Sequence, residues 1–263
     1  MGVGVLGARE RRRLEPLAAA LDRAAEPGPP RLEPVAGGLG PKLRESGRQG
    51  ARAGLLAGTF NPFTRAHAAL AVAGHRAGCD PVVLAMAPVS LAKEGLERAH
   101  PVDRLDWVRA WARRHSWAVV AVASHPLLVD MAQALARATG AEVALLLGAD
   151  KAAQLVEARW YDDPAAAMER LDRTASLLVA ERAGHPVPDL PVRAARLPTA
   201  AWVLERSATE ARAAAAGGLA LDALLPAPVA RAVQRTGAYD NGPSYLARAR
   251  ELDALSRHQG PRP

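Results

Sequence analysis

From residue 54 onward the chain alternates short, almost wholly apolar runs with segments whose apolar residues recur at helical spacing. The apolar runs fall at 54–57, 81–85, 118–123, 142–147 and 176–180, with helical patterns between them at 65–77, 102–114, 129–138 and 163–173. Two further helical patterns follow at 208–216 and 227–234. Strands this apolar need cover on both faces, and strands separated by helices pair in parallel through crossovers. The alternation therefore predicts an α/β fold: a Rossmann-like, doubly wound parallel sheet finished by a C-terminal helical closing segment. Ligands of such sheets sit beyond the carboxyl ends of the strands. Glycines, turn residues and hydroxyls placed just after a strand are thus the first candidates for chemistry.

With 49% of its 263 residues hydrophobic, the chain can fill one domain of about 190 residues plus extensions. Its expected extent is 53–239. Residues 1–52 read as a flexible basic, Pro/Gly-rich extension, because Glu26 to Pro30 and Gly37 to Pro41 break anything longer than a short helix over 14–25. Residues 240–263 read as a polar C-terminal tail with a short helix over 245–255.

Several function classes recede on composition. No run of about 18 apolar residues free of charge offers a membrane span. Arg11-Arg12-Arg13, followed by Glu15 and Pro16, makes a poor leader, so a cytoplasmic protein is expected. The lone Cys79 cannot form an internal disulfide, and no Cys/His cluster suggests a structural metal site. Net charge is +7, but residues 1–52 hold ten basic and six acidic residues, so most of the excess lies in the extension. Basic patches interleaved with aromatics are absent, and neither a nucleic acid nor a membrane is an expected partner.

The densest chemistry lies at Gly58-Thr59-Phe60-Asn61-Pro62-Phe63-Thr64-Arg65-Ala66-His67. Strand, tight loop and helix follow one another there, and Thr64 and His67 share a face of the opening helical turn. Unpaired N–H groups and the positive end of the helix dipole make that turn a place for phosphate. Gly58 permits close approach of a ligand, and Pro62 stiffens the loop. A second helix opening, Arg206 to Arg212, offers Ser207 as N-cap, Thr209 in the first turn and Arg212 one turn on. The strand over 142–147 ends in Gly148-Ala149-Asp150-Lys151, and Trp160 follows shortly. Of only three lysines, Lys42, Lys93 and Lys151, the last two stand beside these motifs.

Taken together, these stretches resemble the nucleotidylyltransferases with the (H/T)xGH signature. The decapeptide is most similar to the GxFNPxTxAH form of the nicotinamide/nicotinate mononucleotide adenylyltransferases, with Thr64 in first position and Ala66 for the glycine. Residues 206–212 resemble that family's SSTxxR motif with Ala208 for the middle serine, 148–151 its GxDK, and 178–184 its VAxRxG strand and loop. Pro88 to Lys93 with Asp103-Arg104-Leu105 resembles the loop after its second strand. The resemblance implies adenylyl transfer from ATP to a pyridine mononucleotide in NAD biosynthesis. It implies His67, Thr64 and Arg212 as catalytic residues. ATP would be met by Gly58, Thr59, Phe60, Gly148, Asp150, Ser207 and Thr209, and the mononucleotide by Asn61, Lys93, Trp160 and Arg182. Mg²⁺ would arrive with ATP, no metal being held by the protein alone, and a homo-oligomer stays open.

Where nicotinate-specific members carry Ser-Tyr-Thr, this chain has Pro126-Leu127-Leu128, so the choice of pyridine is open. Another phosphorylated acceptor, or a nucleotide-binding regulatory role without turnover, also fits the phosphate motifs. His75, His100, His115, His125, His185 and His258 match no motif and read as surface or internally satisfied histidines.

Overall fold

A computed structural model describes residues 6–35, 52–87, 99–181, 187–200, 205–240 and 242–256. Each strand expected from the apolar runs forms: β2 (Arg52–Gly58), β3 (Cys79–Met86), β4 (Ala118–Ala123), β5 (Glu142–Gly148) and β6 (Ala175–Ala180). Two three-residue strands, β1 (Leu32–Pro34) and β7 (Ala194–Arg196), sit at the edges. The sheet order is β1-β4-β3-β2-β5-β6-β7, parallel throughout except for the antiparallel β1–β4 pair. Starting at β2, the chain steps outward to β3 and β4, then returns across β2 to β5 on its other side. The reversal places a crevice at the carboxyl ends of β2 and β5.

Strand alternation divides the core in two. Leu55, Val83, Val119, Leu145 and Leu177 point to one face, where α4 (Leu128–Thr139), α5 (Ala149–Leu155) and α6 (Pro164–Thr174) cover them. Their neighbours Leu56, Leu84, Val120, Leu146 and Leu178 point to the other. That face is covered by α1 (Ala8–Ala25), α2 (Arg65–Arg76), α3 (Pro101–Ala112), α7 (Ala208–Ala216), α8 (Ala227–Thr236) and α9 (Pro243–Leu255). Each leucine or valine so buried contributes about 1.5–3 kcal/mol. The helix α2 lies so close to the sheet that a Cβ on Gly74 would come within 2.4 Å of Leu146 Cδ1, which is why a glycine stands in mid-helix. Among the described residues no helix is long and apolar enough to cross a membrane.

Both ends of the chain differ from expectation. Residues 6–35 are part of the domain: α1 runs for 18 residues through Pro16 and buries Leu14, Leu17, Ala18, Ala20 and Ala24, and β1 extends the sheet. The apolar spacing of α1 is masked in the sequence by its arginines and its internal proline. At the other end α9 is docked, with Tyr245 and Leu252 buried. From α9, Arg248 Nη2 lies 2.7 Å from Asp103 Oδ1 on α3 and Nη1 lies 2.9 Å from Glu10 Oε1 on α1. First helix, third helix and last helix are thereby tied together.

Candidate active site

Strand β2 ends at Gly58, and the chain then turns sharply through Phe60, whose φ is +46°. Thr64 follows as N-cap of α2. Its Oγ1 accepts from His67 N at 3.4 Å, while Thr64 N donates to His67 Nδ1 at 3.0 Å. This is a capping box in which histidine takes the part usually played by glutamate. Since a backbone N–H can only donate, Nδ1 is the acceptor and the ring proton resides on Nε2. Two buried phenylalanines fix the ring, Phe63 stacked at 5.5 Å and Phe60 edge-on at 5.2 Å. The Arg65 amide bonds Leu224 O at 2.9 Å, leaving Ala66 N–H as the first-turn donor with no partner among the described residues.

Beside this loop stands the start of α7. Ser207 caps it, Oγ accepting from Glu210 N at 3.0 Å. Arg212 Nη2 donates to Thr209 Oγ1 at 3.0 Å, and its Nη1 donates to Asn61 O at 2.8 Å. The late helix thus docks directly on the loop of the early one. The third wall is the end of β5: Gly148 N-caps α5, and a Cβ there would lie 2.8 Å from Asp150 Oδ1. Only glycine lets the carboxylate fold back over its own strand end.

These walls enclose a cleft of about 330 Å³, in the range of small-ligand sites. Gly58, Thr59, Thr64, His67, Gly148, Asp150, Trp160, Ser207 and Thr209 all line it. Phe60 and Asn61 do not. Both are buried, Phe60 packing behind His67 and Asn61 Oδ1 accepting from Tyr239 OH at 2.7 Å and Ala99 N at 3.2 Å. Their side chains support the loop from behind and do not face the cleft. Arg212 stands behind Thr209 as a bridge to Asn61. Lys93 and Arg182 lie outside the described residues.

Other lining residues were not singled out as site residues. Lys151 and Arg206 bring positive charge to the cleft, against one carboxylate, Asp150, among its described lining residues. Pro126, Leu127, Leu128 and Met131 form an apolar wall beside Trp160 and Tyr161. Burial raises the Tyr161 phenol above its ordinary value, and the charge of Asp130 adds to the rise. One face of Trp160 already carries the Arg159 guanidinium at 4.4 Å from the ring centroid. Arg206 and Tyr161 adjoin recognisable motifs, so adjacency was the signal available for them. The arrangement suits a polyanion held between two helix openings, with a flat ring at the apolar end.

No protein-family model and no curated protein matches the chain by sequence. Solved structures do match it. Nicotinic acid mononucleotide adenylyltransferase of Plasmodium falciparum complexed with NaAD has a TM-score of 0.55 at 12% identity, covering 73% of this chain and 98% of that one. The same enzyme complexed with APC has a TM-score of 0.54, again at 12% identity and over 73% and 98% of the two chains. The likeness is one of fold: an α/β sheet shared with those adenylyltransferases.

Proposed function

We propose that this chain is a nucleotidyltransferase that moves the adenylyl group of ATP onto a pyridine mononucleotide, forming the dinucleotide of NAD biosynthesis and releasing pyrophosphate. One observation carries the reading. The openings of α2 and α7 line a single cleft, to which Thr64, His67, Ser207 and Thr209 all contribute. Two helix N-termini aimed at one space favour a ligand with several negative charges.

In this reaction an oxygen of the acceptor's 5′-phosphate attacks the α-phosphorus of ATP, and the bond from that phosphorus to the bridging oxygen breaks. The leaving electron pair goes to pyrophosphate. A side-chain nucleophile is unnecessary, and the protein's work is to align two anions and stabilise charge on the phosphoryl oxygens. His67 Nε2–H and the Ala66 amide would donate to the α/β-phosphate region. Ser207 and Thr209 would hold the departing pyrophosphate, with Arg212 orienting the Thr209 hydroxyl and adding positive charge behind it. Gly148 and Asp150 would meet the ribose. The apolar wall and the open face of Trp160 suit a pyridine ring.

Among the described residues no group of three or more His, Cys, Asp or Glu could hold a metal ion. The Mg²⁺ that travels with ATP would be bound by phosphate oxygens and water, with Asp150 as the nearby carboxylate, and would supply charge neutralisation.

The test is pyrophosphate release from ATP with nicotinamide mononucleotide and, separately, with nicotinate mononucleotide. Wild-type protein should release it with at least one, and His67→Ala should turn over about 100-fold more slowly or worse while remaining folded. Release with neither acceptor, or full turnover in a folded His67→Ala, would overturn the proposal.

A further inference from the structure

Phe60 is the one non-glycine residue with positive φ among the described residues, at +46°. A bulky residue in left-handed backbone costs on the order of 1–3 kcal/mol and persists only where its surroundings hold it. The surroundings here are specific. On one side of Phe60, the Thr59 carbonyl accepts from Arg104 Nη1 at 2.8 Å. On the other, the Asn61 carbonyl accepts from Arg212 Nη1 at 2.8 Å, and Asn61 Oδ1 accepts from Tyr239 OH at 2.7 Å.

Arg104 and Tyr239 come from outside the cleft. Arg104, on α3, is 1% exposed, and Tyr239, just beyond α8, is 3% exposed. Burying a guanidinium in this aromatic core is costly, and an apolar residue of like size would pack there at less cost. The Tyr239 phenol is a hydrogen-bond donor at neutral pH, and burial raises it further above its already alkaline ordinary value. The link onward to the cleft is steric: the Phe60 ring stands edge-on to His67 at 5.2 Å. A change in the Phe60 backbone would move the surface against which the imidazole rests.

We propose that Arg104 and Tyr239 are positioning residues for the phosphate-facing loop: by holding the residues on either side of Phe60 they aim Thr64 and His67 into the cleft. The proposal rests on the adenylyl-transfer reading only for its turnover readout. Tyr239→Phe keeps the ring and deletes the donor; Arg104→Met keeps most of the volume and deletes the charge; Arg104→Lys restores a cation. Pyrophosphate release and backbone amide exchange are measured on the full chain for all three.

The expected result is a kcat lower by about 10- to 100-fold in Tyr239→Phe and Arg104→Met, with a smaller change in KM for ATP. Arg104→Lys should recover part of the loss. Amide exchange should accelerate at residues 59–64 and stay unchanged in α8. Wild-type kcat together with an undisturbed loop would overturn the proposal, and so would exchange that rises equally through the chain, which would mark a general packing defect. Should Arg104→Met fail to fold, Tyr239→Phe decides alone. A wild-type chain that releases no pyrophosphate would remove the reaction assigned above, and loop exchange would then decide the clamp by itself.

Discussion

Thr64 does three things at once: its hydroxyl caps α2 by accepting from the His67 amide, the same oxygen lies 3.0 Å from His67 Nδ1, and its own amide donates to that ring nitrogen. Thr64→Val keeps the shape and removes the cap oxygen, so stability should fall by about 1 kcal/mol in urea unfolding. Turnover should fall by more than that loss accounts for, because the imidazole loses one of the groups that orient it, whereas Thr64→Ser should retain both properties. At Gly148 a methyl group would press on Asp150 Oδ1. The carboxylate is the end of a flexible side chain, so Gly148→Ala should fold normally. Displacing a charged hydrogen-bonding group is worth about 1.5–3 kcal/mol, so KM for ATP should rise roughly tenfold or more in initial-rate measurements. The spacing of Thr64, His67, Ser207 and Thr209 was legible in the sequence, since helical periodicity fixes which side chains share a face. What spacing does not carry is direction within a loop. Phe60 and Asn61 lie in the same decapeptide as Thr64, yet a left-handed turn sends their side chains into the core.

Elements with a strong apolar period were legible too: β2 to β6 and α7 lie where their patterns put them. What was missed, the two edge strands and the docking of the helix expected over 245–255, is held by something other than apolar periodicity. Strand β1 is three residues containing Glu33 and Pro34, and all three residues of β7 are exposed, so neither shows a pattern to find. Helix α9 docks through two buried side chains and through ion pairs, among them Arg248 meeting an Asp103 side chain that is 1% exposed. Removing the cation leaves a buried carboxylate short of its partner. Arg248→Met should therefore destabilise the protein by about 3–5 kcal/mol, whereas Arg248→Met combined with Asp103→Asn should recover much of that loss. Chemical denaturation of the single and double variants measures both.

For the molecule as a whole, the same clasp sets how stability follows pH. His100 precedes α3 and joins it to α9: Nδ1 accepts from Val102 N at 3.2 Å, Nε2 faces Asp253 Oδ1 at 3.2 Å, and His100 N donates to Tyr245 OH at 2.7 Å. Burial lowers the His100 pKa; Asp103 and Asp253 oppose that, and Arg104 reinforces it. Below the ordinary histidine value of about 6.5 the unfolded chain therefore takes up a proton that the folded chain resists. Stability contributed by this group is fully present above that value and declines as pH falls, by at most about 1.4 kcal/mol per pH unit. Tyr239 and Tyr245 act at the other limit. Burial first, with Asp103 contributing to both, raises their pKa values, while Arg104 and Arg212 partly offset the effect at Tyr239. The unfolded chain loses those protons above about pH 10 while the folded chain keeps them, so stability falls again on the alkaline side. Urea midpoints measured across pH should form a plateau with two falling edges. His100→Gln should flatten the acid edge and leave the alkaline one, whereas Tyr245→Phe should shallow the alkaline edge alone; an acid edge unchanged in His100→Gln would mean that other groups govern it.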